Sequence, residues 1–454
     1  MADTKFQRKP GAKMRLGMFM TAEGHHSAAW RHPDVKAGSS LEIEYYVKTA
    51  QLAESGCFDM LFKADSQSTF GPDDINIWKR TTSACQLEPI TLFTALSMVT
   101  KHIGLVCTSS TTYNDPFHVA RFFASLDRIS HGRAGWNLVT SSAASEALNF
   151  SYDAHVPHDD RYGRAQEFAQ VVMGLWESWD KDAFLGDKER GLYFDPEKLH
   201  FLNHKGDHFK VRGPLTVMPS AQGRPVMVQA GQSEAGRELA ADTAEVLFTV
   251  QPKIEAAREF YADIKRRAAL RGRAPESLLI MPGVMPVIGR TQAEAEEKFQ
   301  QLNRLIHPDH GVAVLSDMVA LDLRKFPLDG PLPEVPLTNS QQGRQKVVVD
   351  MARRENLTIR QLYQRVAGFR AHRVVCGTAE SIADDLETWF STGAADGFNV
   401  MPLTLPFDLE AIVGQLIPEL QRRGLFRTEY EGKTFRENLG IPMPVARKKQ
   451  VEAV

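Results

Sequence analysis

Residues 226–239 combine the features of a site that binds phosphate. The run VMVQAGQSEAGREL has the pattern of a short strand that ends at Gly231 and leads through Ser233 into a helix. A glycine at such a turn lets the backbone approach an anion closely, and the first N–H groups of a helix are unpaired. The alternative is that Ser233 only caps the helix. Because neither G-x-x-x-x-G-K-[ST] nor G-x-G-x-x-G occurs here, a nucleoside triphosphate or a Rossmann-bound dinucleotide is unsupported, while a phosphate on a smaller cofactor remains open.

Polar side chains follow three successive strand patterns, at the point where each strand ends. They are Asp65 after FDMLFKAD, the hydroxyl run from Thr108 to Thr111, and the run from Asn137 to Ser142. One such residue alone is more often a turn or cap residue. Since three occur at consecutive strand ends, they are candidates for one shared site.

The run HVPHDDRYGRAQEF (155–168) opens a helix and places two hydrogen-bonding rings on one face. His158 and Tyr162 are four residues apart, which is about one helical turn. Alternatively, Asp159 or Asp160 caps the helix and the rings cover the rim of the fold. The spacing supports both interpretations equally.

Aromatic residues and histidines supply the remaining candidates. The apolar side chains near strand ends are Phe19, Phe62, Phe248 and Met401. They can form either barrel core or the floor of a ring-binding site, and periodicity does not separate the two. The titratable candidates are His25, His26, His307 and His310. Their spread lacks metal-ligand spacing such as H-E-x-x-H, so no metal site is predicted.

Composition restricts the class of protein. The 454 residues carry 54 basic and 56 acidic side chains, interspersed, for a formal net charge of -2. This balance argues against a nucleic-acid or membrane partner. Cysteines occur at 57, 85, 107 and 376 without a C-x-x-C pair, which argues against a zinc cage or a disulfide framework. With a polar N-terminal stretch and no membrane-spanning run, a cytoplasmic location is expected.

The candidate residues need a scaffold, and strand and helix patterns alternate along most of the chain. Strands are predicted at 14–20, 58–65, 103–110, 134–141, 226–231, 245–250, 278–289 and 397–403, and helices in the first half at 41–56, 88–100, 116–130 and 162–179. Eight parallel strands favour a closed (β/α)8 TIM barrel of the α/β class over a doubly wound sheet. We expect one domain over residues 1–454, with insertions at about 181–223 and 303–372.

Several long motifs, in order, resemble the bacterial luciferase-like FMN-dependent monooxygenases. They are GHHSAAWRHP (24–33), FDMLFKAD (58–65), LVCTSSTTYNDPFHVARFFASLDRISHGRAGWNLVTS (105–141), HDDRYGRAQEF (158–168) and QAGQSEAGR (229–237). Within that family the chain is similar to the nitrilotriacetate monooxygenase component A and dibenzothiophene-sulfone monooxygenase branch. The likeness extends over about residues 14–440.

The resemblance implies a two-component system. A separate NAD(P)H:flavin reductase would supply FMNH2, and this chain would react it with O2 to give a flavin 4a-hydroperoxide that oxidises a small organic substrate by C–N or C–S cleavage. The residues that the resemblance places around FMN are Asp65, Thr108, Asn137, His158 and Tyr162, with Ser233 and the backbone at Gly231 at its phosphate. Phe62 belongs to the expected apolar floor.

The resemblance also assigns His25 and His307 to orienting the substrate or moving protons, with His26 as an alternative to His25 because loop lengths vary. It implies a homodimer or a homotetramer. Two other functions remain open: an F420-dependent oxidoreductase on the same barrel, and a non-catalytic flavin-binding protein. The substrate is not indicated, since loops and insertions shape the pocket.

Overall fold

The computed structural model describes residues 8–69, 75–338, 342–366, 368 and 372–444, and in these a closed parallel barrel is the central feature. Its strands are β1 Arg15–Phe19, β2 Met60–Lys63, β3 Gly104–Ser110, β4 Ala134–Val139, β5 Val226–Gln229, β6 Val246–Thr249, β7 Leu279–Ile288 and β8 Gly397–Val400. Each pairs in parallel with the next, and β8 pairs with β1 through Gly397 opposite Arg15. The predicted TIM barrel is therefore confirmed.

Helices follow most strands and cover the outside of the barrel. They are α1 Ile43–Ser55, α2 Ile75–Trp78, α3 Pro89–Ser97, α4 Pro116–Ile129, α5 His158–Trp176, α6 Glu234–Thr243, α7 Ile254–Leu270, α8 Gln292–Arg304, α9 Pro308–Val319, α10 Gln342–Glu355, α11 Ile359–Val366, α12 Ala379–Ser391, α13 Phe407–Ala411, α14 Ile417–Arg422 and α15 Phe435–Leu439, with a π-helical turn over Ile412–Leu416. Side-chain caps fix several of their starts. For example, the Asp115 carboxylate accepts from the backbone N–H of Phe117 at 2.9 Å, and Pro116 occupies the first helical position of α4.

Helix α4 shows why these segments pack on the barrel. Its inward residues Val119, Ala120 and Phe123 are buried, and Phe123 contacts the indole of Trp136 on β4 with ring centroids 6.0 Å apart. The periodic apolar face of the helix and the buried strand thus share one core between barrel and helices.

Two segments depart from the simple alternation. Residues 178–225 contain short antiparallel hairpins, Phe184–Asp187 with Leu192–Phe194 and His204–Lys205 with Lys210–Val211. Residues 303–372 contain α9, α10 and α11, which share their own hydrophobic core. An additional strand, Arg373–Gly377, then pairs with the second half of β7.

The N-terminal end of the barrel is closed by the chain's C-terminal segment. Phe435 of α15 fills this end, because a Cβ on Gly104 of β3 would lie 2.4 Å from its ring. Arg436 forms a buried ion pair with Glu245, with Nη1 and Oε1 2.5 Å apart. This closure leaves the opposite end, where the strands finish, for a site.

Among the helices that the structure describes, every one is too short or too polar to cross a bilayer. Within the same ranges, we find no cluster of three or more His, Cys, Asp and Glu side chains arranged to hold a metal ion.

Candidate functional site

A cavity of about 630 Å³ lies where the barrel strands end, within the size range of sites for small molecules and cofactors. Most of the candidates named from the sequence line it. These residues are His25, Phe62, Asp65, Thr108, Asn137, His158, Tyr162, Gly231 and Ser233. The barrel therefore brings together residues that are up to about 200 positions apart in the chain.

The floor of the cavity is aromatic. Phe19, Phe62 and Phe248, from β1, β2 and β6, meet edge to face or tilted, with centroid distances of 4.8 Å between Phe19 and Phe62 and 5.5 Å between Phe62 and Phe248. The imidazole of His25 packs against Phe19 at 4.5 Å, and that of His372 stacks on Phe248 at 5.3 Å. Such a floor offers dispersion contacts to a flat ring and excludes water from one of its faces.

One wall carries an amide whose hydrogen-bonding capacity is only half used. Asn137 of β4 is 2% exposed, and its Nδ2 donates to Thr108 Oγ1 at 2.8 Å. The Thr108 hydroxyl donates in turn to the carbonyl of Lys63 at 2.8 Å. Among the described residues, the Asn137 Oδ1 has no hydrogen-bond partner. A buried acceptor left in this state is costly, so the wall is prepared for a ligand N–H.

A cradle for an anion lies across the cavity. Ser233 caps α6, its Oγ accepts from the N–H of Gly236 at 3.2 Å, and its hydroxyl lies 3.4 Å from the hydroxyl of Tyr162. Gly231 faces Gly236 so closely that a Cβ on Gly231 would lie 2.9 Å from the Gly236 Cα. Strand end and helix start are thus close together, and the α6 N-terminus can bind a phosphate. The ring of His158 lies 4.8 Å from that of Tyr162.

Two carboxyl groups, the half-buried Asp65 and the buried Glu146, lie on a third side of the cavity. Burial, followed by the nearby carboxylates of Glu88 and Glu146, raises the pKa of Asp65 to about 6, against an opposing effect of Lys63. Glu146, in the segment Ala144–Phe150, also lines the cavity and is 4% exposed. Burial raises the pKa of Glu146 as well. Glu146 carries no sequence signal of its role, because it lies in an irregular segment outside any strand end.

The histidines divide into cavity and framework residues. His25 lines the cavity, and its Nε2–H donates to the carbonyl of Phe19 at 2.9 Å. His26 also borders the cavity but is 2% exposed, its Nδ1 accepts from the N–H of Ala28, and its Nε2 donates to Asn303 at 3.1 Å. Burial lowers the pKa of His26 to about 4, so it stays neutral. Of this pair, His25 is only partly buried and is the ring more accessible from the cavity.

The structure does not place His307 at the cavity. Its side chain is 41% exposed and its Nδ1 accepts from the N–H of Asp309 at 3.2 Å, where it caps α9. His310, in the first turn of α9, lines the cavity instead. The sequence HPDH offers both histidines, and the helix start decides between them, because only the residue inside the first turn faces inward. His372, which also lines the cavity, was missed because it precedes the additional strand rather than following a barrel strand.

Fold and cavity together define a barrel whose cavity offers an aromatic floor suited to a flat ring and a helix N-terminus suited to an anion. The model of the luciferase-like monooxygenase family matches residues 14–396, and the chain belongs to this family. The predicted family and monooxygenase class are thereby confirmed.

Individual relatives match almost the whole chain. The chain is 50% identical over 438 residues to N-acetyl-S-(2-succino)cysteine monooxygenase of Bacillus subtilis (strain 168), covering 96% of this chain and 98% of the relative. It is 49% identical over 440 residues to nitrilotriacetate monooxygenase component A of Aminobacter aminovorans, covering 95% and 97%. Among solved structures, a riboflavin lyase crystallised with modified FMN and its substrate riboflavin is similar, with a TM-score of 0.85, 32% identity, and coverage of 96% and 97%.

Proposed function

We propose that the chain is the oxygenase component of a two-component system, which uses FMNH2 and O2 to oxidise a carboxylate-bearing amine or thioether. The observation that carries this proposal is the buried Asn137 Oδ1, an acceptor without a partner in the described part of the chain. The pyrimidine edge of a flavin carries an N–H between two carbonyls, and an amide is the complement of such an edge. The solved relative with modified FMN supports a flavin in this fold.

The residues of the cavity fit the whole cofactor. We assign the ring to the floor of Phe19, Phe62 and Phe248, the pyrimidine edge to Asn137 and Thr108, and the phosphate to the cradle, which comprises Gly231, Ser233, Tyr162 and His158. Reduced FMN supplies the electrons that activate O2. The protein's part is to hold the ring in place and to keep bulk water from its apolar face.

In the overall reaction, one oxygen atom is inserted at the substrate carbon beside nitrogen or sulfur. The other oxygen would leave as water, with two electrons and two protons supplied by the bound reduced flavin. The C–N or C–S bond then breaks, which leaves an amine or a thiol and a carbonyl compound. Family membership favours this reaction over F420-dependent hydride transfer and over a passive flavin carrier.

The substrate class rests on the polarity of the remaining wall. Hydroxyl and amide side chains border the cavity beyond the aromatic floor: Ser66, Gln67, Ser68, Thr69, Thr81, Thr82, Gln86 and Gln342. Such groups donate hydrogen bonds to carboxylate oxygens and suit an alkane poorly. The relatives at 50% and 49% identity are named for compounds that carry carboxylates on carbon bound to sulfur or nitrogen.

Histidines at the mouth of the cavity would orient this substrate or move protons. We assign that role to His25, as the sequence predicted, and transfer the role predicted for His307 to His310 because only His310 borders the cavity. An NAD(P)H:flavin reductase partner, a homodimer or homotetramer, and a cytoplasmic location remain part of this proposal.

Anaerobic titration with FMNH2, followed by rapid mixing with oxygenated buffer and candidate substrates, tests the proposal. We expect FMNH2 to bind, O2 uptake to depend on it, and nitrilotriacetate or N-acetyl-S-(2-succino)cysteine to be cleaved while a long alkane is not. Asn137→Leu should weaken FMNH2 binding roughly 10-fold or more, as expected for a lost buried hydrogen bond.

Asn399→Leu is the matched control. Asn399 is also a fully buried amide in the barrel without a hydrogen-bond partner among the described residues, but it does not border the cavity. The Asn399→Leu variant should bind FMNH2 as tightly as the unaltered chain does. Failure of the unaltered chain to bind FMNH2, or an equal loss in both variants, would contradict the proposal.

A further inference from the structure

We propose that Glu146 is the proton acceptor of the oxidation reaction and that it is reached from the cavity through the hydroxyls of Ser110 and Ser141. The proposal rests on the monooxygenase function given above and adds a residue to it. Neither a strand end nor the cofactor cradle accounts for this buried carboxylate.

The carboxylate is held from two sides. Its Oε1 accepts from the Ser66 hydroxyl at 3.0 Å, and its Oε2 accepts from the Ser141 hydroxyl at 2.5 Å. Ser66, Ser110, Ser141 and Glu146 all border the cavity. The three serines follow or end β2, β3 and β4, so a continuous polar wall crosses neighbouring strands.

The hydrogen bonds along this wall have one direction. Since a carboxylate only accepts, the proton of Ser141 points to Glu146. The Ser110 and Ser141 oxygens are 2.6 Å apart, so the proton between them belongs to Ser110. The Ser110 oxygen also accepts from the N–H of Thr112 at 3.1 Å. Each donor therefore leads toward Glu146, which is the order that a proton relay ending on this carboxylate requires.

The charges around Glu146 come from several elements. Asp65 faces it from the end of β2, Tyr113 from the segment after β3, and Arg161 from α5. Arg161 donates to the carbonyl of Thr140 at 3.1 Å and so fixes the turn that carries Ser141. Burial outweighs the hydrogen bonds of the serines and the charge of Arg161, and it raises the pKa of Glu146. The carboxylate is therefore a stronger base than an exposed glutamate.

A proton has to leave the substrate when the C–N or C–S bond breaks. The hydroxyl formed at the oxidised carbon gives its proton to the Ser110 oxygen, Ser110 passes its own proton to Ser141, and Ser141 passes its proton to Glu146 Oε2. The electron pair of the broken O–H bond forms the carbonyl, and the pair of the C–N or C–S bond leaves with nitrogen or sulfur. Water protonates that atom, and Glu146 later returns its proton to solvent.

The competing interpretation is that Glu146 only fastens two loops together. The chain offers a control for this role, because Ser68 and Ser145 join the same two loops through hydroxyls 2.8 Å apart. Ser145 does not border the cavity. Ser145→Ala therefore removes a fastening contact and leaves the carboxylate and its relay in place.

The test compares the unaltered chain with Glu146→Gln, Ser141→Gly and Ser145→Ala. Ser141 has a φ of 45°, a conformation that glycine adopts easily, so Ser141→Gly removes the hydroxyl without straining the turn. Single-turnover product formation from the carboxylated substrate is measured between pH 5 and 9, beside anaerobic FMNH2 titrations. We expect Glu146→Gln and Ser141→Gly to bind FMNH2 normally but to form product about 100-fold more slowly.

The pH dependence of the single-turnover rate separates a proton relay from a purely structural role of Glu146. The unaltered chain and Ser145→Ala should lose rate as the pH falls and Glu146 becomes protonated, whereas Glu146→Gln should lack this dependence. The relay is overturned if Glu146→Gln keeps the rate and profile of the unaltered chain, or if Glu146→Gln and Ser145→Ala lose FMNH2 binding equally. If Glu146→Gln does not fold, a normal rate in Ser141→Gly overturns the relay. If the unaltered chain fails to bind FMNH2, the monooxygenase function itself is contradicted. This outcome differs from failure of the relay, in which FMNH2 still binds.

Discussion

Asp65 shows at the scale of one residue how the barrel changes an ordinary side chain. It follows β2, where parallel strands deliver their last residues to the cavity, and there it loses contact with much of the solvent. The charge of Lys63 only partly offsets this loss. The type and position of Asp65 could be predicted from the sequence, but its surroundings could not, because Glu88 and Glu146 approach from other segments.

The raised pKa of Asp65 predicts a pH-dependent effect on stability. The folded chain holds this proton up to about pH 6, whereas the unfolded chain loses it near the ordinary value of 3.8. The folded state therefore binds more protons in that window, and this carboxyl makes the free energy of unfolding fall as the pH rises from about 4 to about 6. We expect Asp65→Asn to gain stability relative to the unaltered chain over the same interval. Melting temperatures at pH 4.5 and 7.5 measure the gain, and an equal difference at both pH values would contradict it.

At the scale of elements, the alternation of patterns was sufficient to predict the barrel. The strand predicted at 134–141 ends at Val139, because Ser141 adopts a left-handed conformation that a strand does not accommodate. The helix predicted to begin at 162 begins at His158. The cradle at Gly231 was predictable because glycine, serine and helix start are adjacent in sequence. His310, His372 and Glu146 were harder to assign because tertiary packing, rather than local pattern, turns them inward.

The α6 N-terminus predicts a selective loss of phosphate binding. Ser233→Ala removes a hydroxyl that would donate to the phosphate, so the dissociation constant of FMN should rise about 10-fold or more. Riboflavin, which lacks the phosphate, should bind nearly as before. Fluorescence titration with both ligands measures the difference.

A second helix supplies the control for the lost cap. Thr378 caps α12, where its Oγ1 accepts from the N–H of Ser381 at 3.3 Å, away from the cavity. Thr378→Ala should lose a similar stability of about 1 kcal/mol and bind FMN normally. If Ser233→Ala weakened the binding of riboflavin as much as the binding of FMN, the cradle would not be a phosphate site.

The whole molecule divides its barrel between a stabilising end and a reactive end. Buried charges gather at the N-terminal end of the barrel. Three carboxylates there each come directly before a strand: Asp59, Glu245 and Asp396. The partners of the first two, Arg427 and Arg436, come from the C-terminal segment that covers this end. The cavity occupies the other end, so the loops there can vary without loss of barrel closure.

This division predicts that Arg436 contributes strongly to stability without affecting cofactor binding. Arg436 is almost fully buried, pairs with Glu245, and donates to the carbonyl of Gln222 at 3.2 Å. Arg436→Met leaves the carboxylate of Glu245 buried without its partner, which should lower the free energy of unfolding by about 3–5 kcal/mol. Urea denaturation measures this loss, and FMN titration of the folded fraction should remain unchanged.

The exposed pair of Arg360 with Asp329, 2.8 Å apart, is the comparison, because Arg360→Met removes only a solvent-screened ion pair and should leave the free energy of unfolding almost unchanged. Adding Glu245→Gln to Arg436→Met should restore part of the stability, since it removes the unpaired charge. If Arg436→Met were no less stable than Arg360→Met, the ion pair would not hold the barrel end closed. The apolar packing of Phe435 against Gly104 would then account for the closure by itself.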